Sequence, residues 1–75
     1  MISYRIENTE KAERLVSLCR QFTEDIDVIY GRQIIDGKSI LGVISLVGDI
    51  VSLEVITDSQ RVRDTFMSKV ENLEV

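Results

Sequence analysis

The side chains that most often do covalent chemistry in proteins are scarce in this sequence. It has 75 residues, no histidine and one cysteine, Cys19. A catalytic thiolate needs a cationic neighbour and a base, and there is no imidazole to act as that base. Cys19 shares an apolar stripe with Leu15 and Phe22, which predicts a buried structural thiol. One cysteine without histidine also leaves a structural zinc site without its usual ligands.

Carboxylates are the other candidates, because paired acids can serve in general acid–base catalysis. The candidates in the N-terminal part of the chain are Glu7, Glu10, Glu13, Asp25 and Asp27. Glu10 and Glu13 fall near a predicted helix start, where anions are stabilised, so we expect a solvated acidic face. The sequence contains no Asp-x-Asp-x-Asp-Gly loop of the kind that binds calcium. Its glycines also lack the spacing of a phosphate-binding loop. We therefore expect neither a metal nor a cofactor.

Composition narrows the class of protein. Hydrophobic residues make up 44% of the chain and charged residues 29%, which is typical of a folded domain. The net charge of −4 argues against nucleic acid as the main partner. No apolar run approaches the ~18 residues of a membrane span, and the N-terminus lacks a signal-peptide pattern. A lone cysteine fits a reducing compartment, so we expect one cytoplasmic domain over residues 1–75.

Hydrophobic periodicity predicts seven elements. Alternation at residues 2–6, 26–35 and 51–55 predicts a strand, a hairpin turning at Gly31 and a last strand. Apolar spacing of three and four predicts a helix up to Phe22 and another after Asp58 or Ser59. Ser39 suits the N-cap of a short helix from Ile40 to Leu46. The order β-α-β-β-α-β-α predicts an α+β fold, a four-stranded antiparallel sheet with helices on one face. We expect the last strand to insert between the first and second.

The segment from Phe22 to Leu46, FTEDIDVIYGRQIIDGKSILGVISL, carries a specific resemblance. Residues 38–46, KSILGVISL, match a pattern of lysine, serine, an aliphatic pair, glycine and an apolar helix ending in Ser-Leu. The chain thereby resembles HPr, the histidine-containing phosphocarrier of the bacterial sugar phosphotransferase system. The helix ending in Phe22, followed by Asp25-Ile26, and the hairpin through Tyr30 also fit the family. Together these parts cover about two-thirds of the chain, and the rest fits by element order only. The resemblance implies an HPr-like open-faced sandwich.

The departure from that family lies before the first helix. HPr carries its phosphohistidine in a Gly-(Leu/Ile)-His-Ala-Arg-Pro loop, where this chain reads ENTEKA over residues 7–12. Counting back from Phe22 places Asn8 at the histidine, Glu10 at the arginine and Lys11 at the proline. The first predicted strand also ends close to the helix, which indicates that loop residues are deleted. Phosphoryl relay needs an imidazole nucleophile and a nearby cation, so we expect a divergent, non-catalytic member and no enzyme.

What the resemblance implies instead is binding. The serine that matches Ser39 is phosphorylated by a regulatory kinase in many Gram-positive bacteria, and the product binds a transcriptional regulator. Residues matching Lys38, Ile40 and Leu41 belong to a surface that docks partners. The leading hypothesis is a regulatory module of carbon or sugar-transport control, with a transcriptional regulator, a kinase or sugar-transport components as protein partners.

Alternative interpretations of the same residues, which do not involve phosphorylation of Ser39, also fit the sequence. Ser39 also serves as a helix cap without modification, and Ile40 and Leu41 could simply pack against the sheet. The fold could instead act as a constitutive homodimer, pairing by an exposed strand edge or exchanging its first strand. A phosphocarrier that uses another residue is the least favoured alternative.

Overall fold

The structure is a computed structural model that describes residues 2–73. Along the chain lie β1 (Ile2–Arg5), α1 (Thr9–Cys19), β2 (Ile26–Tyr30), β3 (Gln33–Asp36), α2 (Ile40–Ile44), β4 (Ile50–Val55) and α3 (Gln60–Leu73). The predicted element order and the α+β class are confirmed. No helix among these residues is long and apolar enough to cross a membrane.

The four strands form one antiparallel sheet in the order β1-β4-β2-β3. The last strand lies between the first and the second, as predicted. Tyr4 pairs with Val51, and Val28 pairs with Leu53 on β4 and Ile35 on β3. Because side chains alternate along a strand, this register turns every second residue of each strand toward the helices.

The core lies between the inner face of the sheet and the three helices. Phe66 of α3 is fully buried, and its ring meets that of Phe22 edge to face with centroids 5.4 Å apart. This geometry suits two aromatic quadrupoles. The other fully or almost fully buried side chains come from β1 and the residue after it, from β2 and β4, and from all three helices: Tyr4, Ile6, Ala12, Leu15, Val16, Cys19, Ile26, Val28, Val43, Val51, Leu53 and Val70.

Two helices end earlier than the apolar spacing predicts. The helix expected to reach Phe22 ends at Cys19, and the helix expected to reach Leu46 ends at Ile44. In both cases the chain tightens into three-residue turns, with bonds from Phe22 N–H to the Cys19 carbonyl and from Leu46 N–H to the Val43 carbonyl. Leu46 stays buried and Phe22 still packs against the core, so the apolar pattern continues past the helix ends.

Candidate docking surface at the start of α2

The turn between β3 and α2 is held by three hydrogen bonds. The Asp36 carboxylate accepts from the Lys38 backbone N–H at 2.9 Å, and the Asp36 carbonyl accepts from the Ser39 N–H at 3.0 Å. From the end of α1, Arg20 Nε donates to the Lys38 carbonyl at 3.1 Å. The start of α2 is therefore fixed against both β3 and α1.

Ser39 is the N-cap of α2. Its backbone is extended (φ −97°, ψ 109°), and its Oγ accepts a hydrogen bond from the Gly42 N–H at 3.3 Å. The predicted cap is confirmed, and the hydroxyl is half-buried. Arg20 Nε donates to the carbonyl of Lys38, which is the residue before Ser39, so the bond holds the Arg20 guanidinium at the peptide that leads into the cap.

Ile40 and Leu41, which the sequence treated as a pair, have different environments. Ile40 is half-buried and packs against the core. Leu41 is 81% exposed, the highest value among the large hydrophobic side chains described. Of the two, Leu41 is the side chain available to a partner.

Gly42 sets how closely α2 approaches the sheet. A Cβ at this position would lie 2.5 Å from the Cγ2 of Ile35 on β3. Such a contact is far shorter than van der Waals distance, so the close approach requires glycine. The approach seats Val43 in the core, where it is fully buried, and leaves Leu41 facing solvent.

Asn8 is the N-cap of α1 and does not join the α2 surface. Its Oδ1 accepts from the Lys11 N–H at 2.8 Å. Arg20, which holds the α2 turn, is twelve residues further along, or about 18 Å at the rise of an α-helix. Asn8 and Ser39 are thus associated with opposite ends of α1.

The connection that contains Asn8 is short and pinned. Only Ile6, Glu7 and Asn8 separate β1 from α1. Ile6 is fully buried, donates to the Asp49 carbonyl at 3.0 Å and accepts from the Gly48 N–H at 2.7 Å. A connection of three residues, with hydrogen bonds at Ile6 and Asn8, leaves no extended loop in front of α1.

Two tethers that hold this arrangement were not foreseen from the sequence. One is the Arg20 bond to Lys38. The other runs from Lys11 Nζ to the Leu73 carbonyl at 3.0 Å, joining the first turn of α1 to the last turn of α3. Each joins residues distant in sequence, and the sequence offers no local signal for either.

Cys19 is a fully buried thiol on α1, as predicted. Burial raises the pKa of the thiol to about 12, although the Lys38 charge acts in the opposite direction. A thiol with this pKa is protonated at neutral pH and is a poor nucleophile.

The acidic side chains do not converge on a cation site. Among residues 2–73 no group of three potential ligands is close enough to hold a metal ion. Glu10 forms an exposed ion pair with Arg14 at 2.7 Å. The carboxylates of α1 are therefore part of a solvated face.

The four-stranded antiparallel sheet and the three helices in the order β-α-β-β-α-β-α match the HPr-like fold. The chain is similar to the crystal structure of HPr-C-His from Thermoanaerobacter tengcongensis, with a TM-score of 0.69 and 22% identity over 96% of this chain and 91% of that one. It is also similar to a phosphocarrier protein HPr from Bacillus anthracis strain Ames, with a TM-score of 0.64 and 18% identity over 92% of this chain and 93% of that one. No protein-family model and no curated protein matches the sequence. The resemblance seen in the sequence is confirmed in the fold.

Proposed function

We propose that this protein is a non-catalytic module of HPr-like fold that binds other proteins through the start of α2, with phosphate on Ser39 setting its affinity. The single observation that carries the proposal is the pairing of a fixed serine hydroxyl with an apolar side chain, Leu41, that is 81% exposed two residues away. The proposed partners are those that the resemblance implies, a regulatory kinase and proteins of transcription or sugar transport.

The chemistry of a phosphoserine suits this position. A phosphoryl group adds a charge of roughly −2 and three acceptor oxygens. Arg20 donates to the Lys38 carbonyl in the peptide that leads into Ser39, and we expect its guanidinium, together with the neighbouring Lys38 side chain, to pair with the phosphate. Phosphate on Ser39 would therefore add an anionic group beside the exposed Leu41 side chain. The change in surface charge would change which proteins bind there.

The non-catalytic part of the proposal rests on the side chains available. The printed sequence has no histidine, and the position matching the phosphohistidine holds Asn8, whose amide is engaged as a helix cap. We expect no transfer of labelled phosphate from phosphoenolpyruvate through the upstream transferase. Label that is retained on this protein would overturn this part of the proposal.

The first experiment maps phosphorylation on protein isolated from its own cells during growth on a rapidly used sugar. We expect mass spectrometry to find phosphate on Ser39 and to lose it in Ser39→Ala. Ser59 is the matched control, because its Oγ caps α3 by accepting from the Val62 N–H at 3.2 Å in the same way. Ser59→Ala should leave the phosphate unchanged. An unmodified Ser39 under this condition would reduce it to a cap.

The role of Leu41 is tested on a partner recovered with the phosphorylated protein. Truncation of an interface anchor typically weakens binding about tenfold or more, so Leu41→Ala should raise the Kd by at least that factor. Met67 is 42% exposed on α3 and gives a control substitution, Met67→Ala. Equal Kd values for the two variants would exclude Leu41 from the contact.

A second candidate function, self-assembly, is favoured by one observation. The edge strand β3 presents Ile34 with 65% of its side chain exposed. An exposed apolar edge strand is a template for pairing with another chain.

A further inference from the structure

The backbone of Ile34 faces the open side of β3. In the β2–β3 ladder, Tyr30 pairs with Gln33 across a two-residue turn, and Gly37 N–H donates to the Ile26 carbonyl at 2.8 Å. Hydrogen-bonded and non-hydrogen-bonded pairs alternate in an antiparallel ladder. The N–H and C=O of Ile34 therefore point away from β2, toward the free edge of the sheet.

The two edges of the sheet are protected differently. Proteins commonly blunt edge strands with charged side chains. On β1 the free backbone groups belong to Ser3 and Arg5, both exposed and polar. On β3 the middle position is Ile34, which is apolar and 65% exposed.

Charges flank Ile34 in a complementary order. Arg32 lies two residues before it and Asp36 two residues after it. Asp36 is directly opposite Asp27, which is opposite Glu54 on β4, so three carboxylates form one row on the outer face. Like charges placed opposite one another are destabilising, and a cation beyond Asp36 would offset this.

We propose that the occupant of this edge is a second copy of the chain, paired antiparallel through β3 about a two-fold axis at Ile34. Each Ile34 N–H donates to the Ile34 carbonyl of the second copy, and the two exposed side chains meet. The same axis sets Arg32 of each copy opposite Asp36 of the other. On each side of the axis, Arg32 of one copy then lies at the end of the row of three carboxylates of the other copy.

This proposal deepens the second candidate function and is independent of phosphate on Ser39. A two-fold axis normal to the sheet joins the two sheets edge to edge into eight strands and keeps both helix layers on one face. The starts of α2 then lie on the same side of the dimer. The assembly would thus present two copies of the docking surface to one partner, which raises avidity.

The pairing area is small. Two four-residue strands cover less than the roughly 1,200 Å² of a standard stable interface. We therefore expect dimerisation that depends on concentration between about 1 μM and 1 mM, measured by sedimentation equilibrium. Exchange of the Ile34 amide with solvent should slow as the dimer forms. A monomer throughout this range would overturn both the self-assembly function and this geometry.

Ile34→Lys tests the centre of the pairing. The substitution should weaken dimerisation by about tenfold or more, because the two lysines then face each other across the two-fold axis and their like charges repel. Ser3→Lys is the matched control, because Ser3, Ser52, Ile29 and Ile34 form one row across the sheet with Ser3 at the other edge. A dimer that survives Ile34→Lys and is lost in Ser3→Lys would overturn the β3 geometry and leave self-assembly standing.

The flanking charges are tested by reversal and restoration. Arg32→Asp places like charges opposite each other twice by symmetry and should weaken the dimer. Asp36→Arg alone likewise places like charges opposite each other, and it also removes the acceptor of the Lys38 N–H. Adding Arg32→Asp to Asp36→Arg restores opposite charges, so the double variant should dimerise more tightly than Asp36→Arg alone. A double variant that dimerises no more tightly, while circular dichroism shows both proteins folded, would overturn the proposed register.

Discussion

At the residue scale, two side chains carry predictions about stability. The first is Cys19, the buried thiol of α1 that packs in the core. Burial raises the pKa of this thiol from its ordinary value of 9.0 to about 12 in the folded protein. Because the folded pKa is the higher one, the protonated thiol favours folding below pH 9, and this contribution is lost as pH rises from 9 toward 12.

The measurement is urea unfolding from pH 7 to 11 for the wild type and for Cys19→Ala. The two proteins share every ionisable group except the thiol, so the difference between their pH dependences isolates Cys19. We expect the wild type to lose more stability with pH than the variant does. Parallel curves would show that Cys19 is not buried as described.

The second side chain is Asn8. Asn8→Ala removes the acceptor for the Lys11 N–H and should lower the free energy of unfolding by about 1 kcal/mol. Asn8→Asp keeps the acceptor and adds a charge favoured at a helix N-terminus, so it should match or exceed the wild type. Equal losses in the two variants would contradict the cap.

At the scale of elements, the contact between α2 and β3 depends on Gly42. A Cβ there meets the Ile35 Cγ2 at 2.5 Å, and overpacking of this kind typically costs about 1–3 kcal/mol. Gly42→Ala should therefore destabilise the protein, even though alanine favours a helix over glycine by about 1 kcal/mol.

The background variant Ile35→Ala removes the clashing methyl. In that background we expect Gly42→Ala to be stabilising, because the helix propensity then acts without the clash. Thermal or urea unfolding of the four proteins gives the sign directly. Destabilisation of the same size in both backgrounds would show that the close approach is not what requires glycine.

The elements also show how far the sequence could predict the fold. Alternation along the strands predicted which of their side chains are buried, because burial repeats every two residues in a strand. The order of the elements predicted that β4 lies between β1 and β2. The helix ends were predicted too late, since Phe22 and Leu46 stay apolar after the chain has left the α-helix.

The site was predicted less completely. Ser39 was identifiable as a cap from its type and position. The difference between half-buried Ile40 and exposed Leu41 could not be predicted, because it depends on how α2 is rotated over β3. That rotation follows from the contact between Gly42 and Ile35. Arg20 could not be found, since its bond to Lys38 spans eighteen residues.

At the scale of the whole molecule, stability depends on one small core. Phe66→Ala removes a fully buried ring that packs edge to face on Phe22. A loss of about 3–5 kcal/mol is expected, which is a large part of the stability of an ordinary domain. Met67→Ala, one residue away and 42% exposed, should cost far less. Similar losses measured by urea unfolding would contradict the packing of α3 described here.

The position of β4 in the middle of the sheet bears on how the chain folds as it is synthesised. β1 leaves the ribosome first, yet its hydrogen-bonding partner is β4, which is made more than forty residues later. A nascent chain that ends at Asp49 has only the β2–β3 hairpin, and an isolated hairpin is marginal in water. The two halves of the sheet can therefore join only after residues 50–55 have been made and have left the ribosome.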